Sequence, residues 1–362
     1  MNVWFTGGGT GGHLYPGLAI ARALVQLRPE AAPFFIGAAR GIERGVLPTT
    51  EFPHLLLDLH PLYRPQIWKN WRTVRGAWSG WSRLNALATE RAPQLVVGTG
   101  GYASGLTLLW ASRHGVRAVQ HVGDAVPGIT ARWSTRFTRE VYLGFPEAAA
   151  RLPAGRGAYI DTGNPIEPPP DIQPAAAESR ARWGFPAHAK VLLVFGGSQG
   201  ARALNQAVAS WVERGVPRGL CVLWATGRGQ HDAFKHLDRA DVRVVPYLSP
   251  MAEAYAAADL ALVRGGMMGT SELCAWGIPM VIVPLPSAAS DHQSANARVL
   301  AAAGAALHLP QRELRAEQLD RSIQGLLERP EALTAMAAAA RGRGRPGAAR
   351  EIAARIAAYL SP

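Results

Sequence analysis

The sequence contains little cysteine and no cluster of cysteine and histidine. Its only two cysteines, Cys221 and Cys274, lie far apart in the chain and belong to no CxxC motif. This scarcity argues against a disulfide framework and against a structural zinc site, and it favours a reducing compartment.

Long apolar runs are missing as well. No segment reaches the roughly 18–20 uninterrupted apolar residues that a membrane-spanning helix requires. The first residues show neither a basic leader nor a cleavable apolar segment, so no secretory signal is expected. Any contact with a membrane should therefore be peripheral.

Acidic residues are too few to balance the basic ones. The chain has 38 lysines and arginines against 26 aspartates and glutamates, and its formal net charge is +12. Such a surplus attracts polyanions, which include nucleic acids, anionic lipid headgroups and phosphorylated small molecules. Charge alone does not select among these classes.

The residues that are present indicate a two-domain α/β protein. The chain has 362 residues, of which 48% are apolar, and this length exceeds what one core usually serves. Apolar runs such as NVWFTGGGTGG and KVLLVFGGSQG end in glycine and lead into helical segments, about 190 residues apart. This recurrence predicts two Rossmann-like, doubly wound parallel-sheet domains in tandem.

A proline-rich segment separates the two halves. We expect an N-terminal domain over residues 1–163, a linker over 164–176 and a C-terminal domain over 177–345, because prolines continue neither helix nor strand. Residues 346–362 resume a helical pattern and could pack back on the N-terminal half.

The first glycine motif has the spacing GxGxxG from Gly7 to Gly12. A dinucleotide site also needs an acidic residue at the end of the second strand. That strand, PFFIGAARG, has none at residues 37–39, which weakens the NAD interpretation. Free N–H groups at such a turn can bind another anion, although a role in tight packing alone stays open.

Two side chains near the glycine turns could carry chemistry. His13 follows Gly12 at a helix start, where a neutral imidazole can act as a general base. Glu272 is expected in the first turn of a later helix, where it could accept two hydrogen bonds from a ribose diol. A structural histidine and an ordinary acidic residue near a helix start are the alternatives.

Seven segments in fixed order give a specific resemblance: GGTGGHLYPGLAIA, GGYASG, GNP, GGSQGARALN, MAEAYAAADLALVRGG, TSELCAWGIPMVIVPLP and DHQSANA. In this combination the chain resembles the MurG family of N-acetylglucosaminyltransferases, which act on lipid I in peptidoglycan synthesis. The resemblance spans nearly the whole chain.

The resemblance implies a GT-B fold with a cleft between two Rossmann-like domains. It implies an inverting transfer of N-acetylglucosamine from UDP-GlcNAc to the undecaprenyl-linked lipid I, which forms lipid II for cell wall biogenesis, cell shape and cell division. Neither metal nor cofactor is implied, because helix dipoles and N–H groups can stabilise the leaving UDP. It also implies peripheral binding to an anionic membrane surface on the cytoplasmic face, without nucleic acid.

Site residues follow from the same resemblance. His13 would deprotonate the acceptor hydroxyl, Glu272 would hold the ribose hydroxyls and Gln293 would contact the sugar. The other donor-binding candidates are Thr10, Gly11, Gly12, Ser198 at the diphosphate, Leu248 at the uracil edge, Arg264, Met267, Met268, Gly269, Thr270 and Ser271. The acceptor-side candidates are Tyr102, His121 and Asp124.

The chain departs from the family pattern at three places. The residues from His121 to Asp124 read His-Val-Gly-Asp instead of the usual His-Glu-Gln-Asn, and residues 265–268 replace Ser-Gly-Ala-Leu. Glu167 stands where an arginine usually follows GNP. A carboxylate in place of a cation near a diphosphate should weaken binding, unless Arg264 and Arg202 compensate.

Four tryptophans lie in a basic stretch at spacings of three, seven and three residues: Trp68, Trp71, Trp78 and Trp81. With Arg72 and Arg75 among them, the spacing predicts an amphipathic helix that suits an acidic bilayer surface. The tryptophans could instead belong to the core, or could stack on single-stranded nucleic acid.

Three other functions stay open at this point. The departures at Val122, Asp124 and Glu167 suit a non-catalytic homologue that serves as a membrane-surface scaffold. A glycosyltransferase with another lipid acceptor would share the same fold. A nucleic-acid-binding protein is the third alternative, and its binding would be salt-sensitive.

Overall fold

The computed structural model describes residues 1–60, 70–154, 157–197 and 200–360. It divides into two compact units. Unit 1 comprises Met1–Glu167 and Gly347–Pro362, and unit 2 comprises Pro168–Pro346.

Unit 1 contains a parallel sheet in the order β3-β2-β1-β4-β5-β6-β7. Its strands are β1 (Asn2–Gly7), β2 (Ala32–Ala38), β3 (His54–Leu57), β4 (Leu95–Gly100), β5 (Arg117–Val122), β6 (Glu140–Leu143) and β7 (Ala158–Asp161). Its helices before residue 168 are α1 (Gly11–Leu27), α2 (Glu43–Val46), α3 (Asn70–Glu90), α4 (Tyr102–Arg113) and α5 (Ile129–Ser134), with 3-10 turns at Leu47–Thr49 and Pro146–Arg151.

Unit 2 repeats this plan with the strand order β10-β9-β8-β11-β12-β13, again all parallel. Its strands are β8 (Lys190–Phe195), β9 (Leu220–Ala225), β10 (Val242–Val245), β11 (Leu260–Val263), β12 (Met280–Ile282) and β13 (Ala306–His308). Its helices are α6 (Ala176–Arg182), α7 (Arg202–Arg214), α8 (His231–Phe234), α9 (Met251–Ala257), α10 (Met267–Trp276), α11 (His292–Ala302), α12 (Ala316–Leu327) and α13 (Pro330–Arg343). Short 3-10 turns lie at Lys235–Leu237, Ala289–Asp291 and Gln311–Glu313.

Strand β1 shows why the apolar runs form a central parallel sheet. Val3 and Phe5 are buried in the core on one face, whereas Trp4 is buried on the other beside Trp110. A strand covered on both faces needs apolar residues at every position rather than at alternate ones. The predicted pair of Rossmann-like, doubly wound domains is confirmed.

The end of the chain folds with unit 1. Helix α14 (Ala348–Ala357) packs on α1, and its residues Ile352 and Ile356 are fully buried in the same cluster as Val3 and Phe5. The first and last segments of the chain therefore share one core.

The strand order reverses between β1 and β4 in unit 1 and between β8 and β11 in unit 2. Doubly wound sheets bind ligands outside the carboxyl ends of their strands at such reversals. The turns at these four strand ends contain residues 7–10, 100–101, 196–201 and 264–266, and of these residues 198 and 199 lie outside the described ranges. Each unit thus brings two glycine-containing turns to the place where a nucleotide or sugar would bind.

Candidate functional site

The two glycine turns of unit 1 are in direct contact. The Gly8 N–H donates a hydrogen bond to the Gly100 carbonyl at 3.2 Å. Gly101 has a φ of +75°, and a Cβ there would lie 2.0 Å from the Gly8 carbonyl oxygen. Only glycine permits so close an approach with this backbone conformation.

His13 lies in the first turn of α1 and is half-buried. Its Nδ1 is 3.1 Å from the Thr10 hydroxyl oxygen, and its carbonyl accepts a hydrogen bond from the Thr99 hydroxyl at 2.7 Å. A Cβ on Gly100 would lie 2.6 Å from the imidazole Cδ2, so the ring packs directly on the second turn. When Nδ1–H donates to Thr10, Nε2 retains a lone pair and can accept a proton.

Glu43 is a buried carboxylate beneath the first glycine turn, and sequence reasoning missed it. Its Oε1 accepts hydrogen bonds from the Gly9 N–H at 2.8 Å and the Ala38 N–H at 3.3 Å. A Cβ on Gly8 would lie 1.5 Å from Oε1, and one on Gly41 would lie 1.9 Å from Oε2. The flanking glycines were the only signal in the sequence that a side chain fills this space.

The acceptor-side candidates occupy different environments. Tyr102 packs its ring against Gly9, where a Cβ would lie 2.9 Å from the ring, and Asp124 is half-buried beyond β5. His121 is only 1% exposed, and within the described residues neither ring nitrogen makes a hydrogen bond of ordinary geometry. A side chain so deeply buried does not fit direct contact with an acceptor, and we correct its expected role to one inside the core.

Burial also fixes the charge state of His121. Burial and the neighbouring charge of His13 lower the pKa of His121 to about 3, although the Asn164 side chain acts in the opposite direction. The ring is therefore neutral near pH 7, and it adds no positive charge beside His13.

The helices at the strand reversals share a charge pattern. α1, α4, α7 and α10 have no acidic residue in their first turns. By contrast, α9, α12, α13 and α14 each have a glutamate there. An acidic residue would neutralise the positive end of the helix dipole, so its absence keeps the amino ends of α4, α7 and α10 favourable to an anionic ligand. At α1, the Glu43 carboxylate already lies against the preceding turn.

Glu272 lies in the second turn of α10, not in the first as expected, because this helix begins at Met267. Its Oε2 accepts a hydrogen bond from the Tyr255 hydroxyl at 2.5 Å. Tyr255 belongs to α9, so two helices meet at this carboxylate. The position of Glu272 therefore depends on a side chain that the sequence did not single out.

Several donor-binding candidates are more buried than expected. Leu248, Met267 and Thr270 are at most 5% exposed, and the Thr270 hydroxyl donates to the Gly266 and Met267 carbonyls. The Thr270 hydroxyl thus stabilises its own helix rather than facing a ligand, which corrects its expected role. The half-buried candidates at this turn are Met268, Gly269 and Ser271.

The polar residues after β11 and β12 hold the backbone of the turns. Arg264 donates through Nη1 to the Val283 and Pro284 carbonyls, and burial lowers the pKa of its guanidinium. The Gln293 Oε1 accepts the Leu285 N–H at 3.0 Å. The buried Asn296 amide donates to the Gly265 carbonyl at 3.0 Å. Arg264 and Gln293 thus have backbone partners besides any ligand.

A cavity of about 360 Å³ lies elsewhere in unit 2. Lys190, Asp259 and Pro279 line it at the amino ends of β8, β11 and β12. Nucleotides bind doubly wound sheets outside the carboxyl ends, so this cavity does not belong to the expected donor site.

The tryptophan segment forms α3, and its outer face is apolar and exposed. Trp71, Val74 and Trp78 are 57%, 69% and 81% exposed. Trp81 is instead partly buried beside His114, with ring centroids 5.7 Å apart, so its ring is less exposed than those of Trp71 and Trp78. In the described ranges, no helix is long and apolar enough to cross a membrane.

The remaining membrane candidates and donor-binding candidates lie at the following places. Arg72 and Arg75 are exposed on α3, and the Arg72 guanidinium lies 5.5 Å from the Trp71 ring centroid. Trp68 and Ser198 fall outside the described residues. Thr10 is exposed, whereas Gly11 and Gly12 are half-buried at the start of α1.

Two departures from the family pattern have local explanations. Val122 is 4% exposed and packs with Val141 and Leu143, so an apolar cluster takes the place of the usual carboxylate. Glu167 is exposed. The hydrogen bond and the charge of Glu51 raise the pKa of Arg22, and the charge of Glu167 raises it further. Glu167 thus has a cation near it within unit 1.

Comparison with known proteins agrees with this architecture. Residues 3–143 match the glycosyltransferase family 28 N-terminal domain, and residues 191–354 match the C-terminal domain of the same family. The crystal structure of Acinetobacter baumannii MurG superposes with a TM-score of 0.76 at 29% identity, covering 99% of each chain.

Two curated relatives share one name, UDP-N-acetylglucosamine-N-acetylmuramyl-(pentapeptide) pyrophosphoryl-undecaprenol N-acetylglucosamine transferase. The relative from Moorella thermoacetica is 39% identical over 366 residues, covering 97% of both chains. The relative from Desulforudis audaxviator is 37% identical over 359 residues, covering 96% of this chain and 95% of its own. The chain belongs to glycosyltransferase family 28.

Proposed function

We propose that the protein transfers N-acetylglucosamine from UDP-GlcNAc to the sugar hydroxyl of lipid I, with inversion at the anomeric carbon, and so forms lipid II. One observation carries this proposal: His13 lies at the strand reversal of unit 1, and Glu272 lies at the strand reversal of unit 2. In this proposal the base takes up the acceptor proton and the carboxylate binds the ribose of the donor.

In the proposed reaction, Nε2 of His13 accepts the proton of the acceptor hydroxyl. The hydroxyl oxygen then forms a bond to C1 of N-acetylglucosamine, and the bond between C1 and the UDP oxygen breaks. UDP leaves with the electron pair. The Thr10 hydroxyl, 3.1 Å from Nδ1, holds the ring in the orientation and tautomer that a base requires.

The leaving group carries negative charge, which the unit 2 turns are suited to stabilise. We propose that the amino ends of α7 and α10, which have no acidic residue in their first turns, face the diphosphate. In this proposal Glu272 accepts hydrogen bonds from the ribose hydroxyls, Gln293 contacts the sugar and Leu248 lies at the uracil edge. No metal or cofactor takes part in these steps.

We propose further that α3 binds the membrane that carries the lipid acceptor. Its exposed Trp71, Val74 and Trp78, with Arg72 and Arg75 beside them, combine an apolar face with cations. Such a helix lies in the interface of an anionic bilayer without crossing it. In this proposal the enzyme binds peripherally to the cytoplasmic leaflet.

The proposal is tested by UDP release from UDP-GlcNAc with a lipid I analogue. We expect release by the wild-type protein and a loss of at least about 100-fold in kcat for His13→Ala, because general base catalysis contributes about 10²–10⁴-fold. His188→Ala, at an exposed position in unit 2, is the matched control and should keep wild-type kcat.

Two outcomes would refute it. A wild-type protein that binds vesicles and yet neither binds UDP-GlcNAc nor releases UDP would instead be a membrane scaffold. Full kcat in His13→Ala would remove the proposed base.

A further inference from the structure

We infer that Tyr255 is a positioning residue of the donor site, whose hydroxyl holds the Glu272 carboxylate in the orientation that binds the ribose diol. This inference rests on the proposed function, in which Glu272 accepts hydrogen bonds from the two ribose hydroxyls. It adds a residue that makes no contact with the nucleotide in the proposed site and acts through another side chain.

The geometry joins two helices through one hydrogen bond. The Tyr255 hydroxyl on α9 donates to Oε2 of Glu272 on α10 at 2.5 Å. This is at the short end of the range for O–H···O bonds and is typical of a bond to a charged acceptor. Glu272 is half-buried at the carboxyl side of β11, where a ligand can reach it.

The Tyr255 ring is fixed independently of this bond. It is 4% exposed, and its centroid lies 6.4 Å from that of Phe195 and 5.7 Å from that of Trp276. The hydroxyl is therefore presented from a rigid position. Phenylalanine at residue 255 would keep these ring contacts and remove only the donor.

The chemistry of the pair suits a diol ligand. An ionised carboxylate has about four lone-pair positions, and the bond from Tyr255 uses one of them. A phenol is a neutral donor and leaves the negative charge on the carboxylate, whereas a lysine or arginine would compensate it. Burial and the charge of Glu272 raise the pKa of Tyr255 well above its ordinary value, so the phenol stays protonated.

A glutamate that binds a diol loses rotamer freedom when the nucleotide binds. Holding it in advance lowers that cost. We therefore expect the hydroxyl of Tyr255 to increase affinity specifically for ligands that have both ribose hydroxyls. A purely structural tyrosine would affect all ligands of this site alike.

The experiment compares Tyr255→Phe with Tyr142→Phe. Tyr142 is the matched control, because its hydroxyl donates to the Glu140 carboxylate at 2.7 Å within the sheet of unit 1. Dissociation constants are measured by calorimetry for UDP, 2′-deoxy-UDP and 3′-deoxy-UDP, and kcat is measured at saturating UDP-GlcNAc. Thermal unfolding of each variant shows that it is folded.

We expect Tyr255→Phe to bind UDP about tenfold more weakly, the effect of about 1.4 kcal/mol, and both deoxy analogues less than about threefold more weakly. Its KM for UDP-GlcNAc should rise by a similar factor, with kcat within about twofold of wild type. Tyr142→Phe should keep wild-type discrimination between UDP and its deoxy analogues.

Equal weakening of all three ligands in Tyr255→Phe, or no weakening at all, would overturn the inference while leaving the proposed function in place. A double variant gives an independent check. In a protein that already carries Glu272→Ala, Tyr255→Phe should cause little further loss of UDP affinity, because the carboxylate that it positions is gone. A full additional loss in that background would also overturn it. Wild-type protein that fails to bind UDP would instead overturn the proposed function.

Discussion

At the scale of single residues, the Gly9 amide donates to a carboxylate of the protein itself. Oε1 of Glu43 lies 2.8 Å from this nitrogen, where a bound anion would lie in a phosphate-binding turn. The first glycine turn therefore has at least one amide that is already satisfied. This explains in physical terms why the GxGxxG spacing by itself does not specify a phosphate ligand here.

Glu43→Ala should destabilise the protein strongly. The substitution leaves the buried Ala38 amide and the half-buried Gly9 amide without their acceptor, and an unsatisfied buried donor costs about 1–3 kcal/mol. We expect the free energy of unfolding in urea to fall by about 2–4 kcal/mol. Glu51→Ala is the control: its carboxylate is 52% exposed and pairs with Arg22, so it should change stability by less than about 1 kcal/mol. Equal losses of stability in the two variants would contradict the role of Glu43 as acceptor for these amides.

His121 should make stability depend on pH. The folded protein holds this residue neutral down to a pKa of about 3, against an ordinary value of 6.5. Between these values the unfolded chain binds a proton that the folded chain does not, so stability falls as the pH is lowered. The loss approaches about 1.4 kcal/mol per pH unit for one proton.

The pH prediction is checked with His121→Leu, which removes the titrating group from the core. The slope of unfolding free energy against pH should decrease by about 1 kcal/mol per unit between about pH 6 and about pH 4.5. His188→Leu, at an exposed position, should leave the slope as in wild type. If His121→Leu and wild type have the same slope, His121 is not the source of this pH dependence.

At the scale of elements, the sequence was most informative for buried strands. β1 and β8 are continuous apolar runs that end at glycine, and both form central strands. The tryptophan spacing likewise predicted α3, but it did not show which side of the helix packs. Gly76 and Gly80 lie on the inner side, where Cβ atoms would come within 2.3 Å of the Asp58 carbonyl and 2.7 Å of Leu106. These close contacts let α3 pack tightly against unit 1 on the side opposite Trp71 and Trp78.

The outer face of α3 should be the part of unit 1 that binds membranes. Replacing Trp71 and Trp78 with serine removes the interfacial aromatic rings without opening the core, because these side chains are exposed. We expect binding to phosphatidylglycerol vesicles to weaken by at least about tenfold. UDP affinity should stay unchanged. Ile172→Ser in unit 2, at a residue that is 91% exposed, is the control and should bind vesicles as wild type does. Unaltered vesicle binding by the double variant would exclude this face.

At the scale of the whole molecule, the sequence revealed the internal repeat because each half needs the same strand, turn and helix. It did not reveal side-chain partners that are distant in the chain, such as Tyr255 with Glu272 or Glu43 with Gly9. These pairs depend on how helices pack, and no local periodicity reports that. The helical pattern of the last segment predicted that it could pack back on the N-terminal half, but not which of its residues are buried against the first helix.

Substitutions in α14 and α12 should act on different units. Ile352→Ala empties a fully buried position in the core of unit 1, and Ile323→Ala does the same in unit 2. Each should cost about 2–5 kcal/mol, the usual effect of removing a buried isoleucine side chain. In hydrogen exchange, Ile352→Ala should reduce protection of β1 and β4 more than that of β8 and β11, and Ile323→Ala should show the reverse. Equal loss in both sheets from either variant would mean that the two units unfold as one, and the segment Gly347–Pro362 would then stabilise the whole chain rather than unit 1.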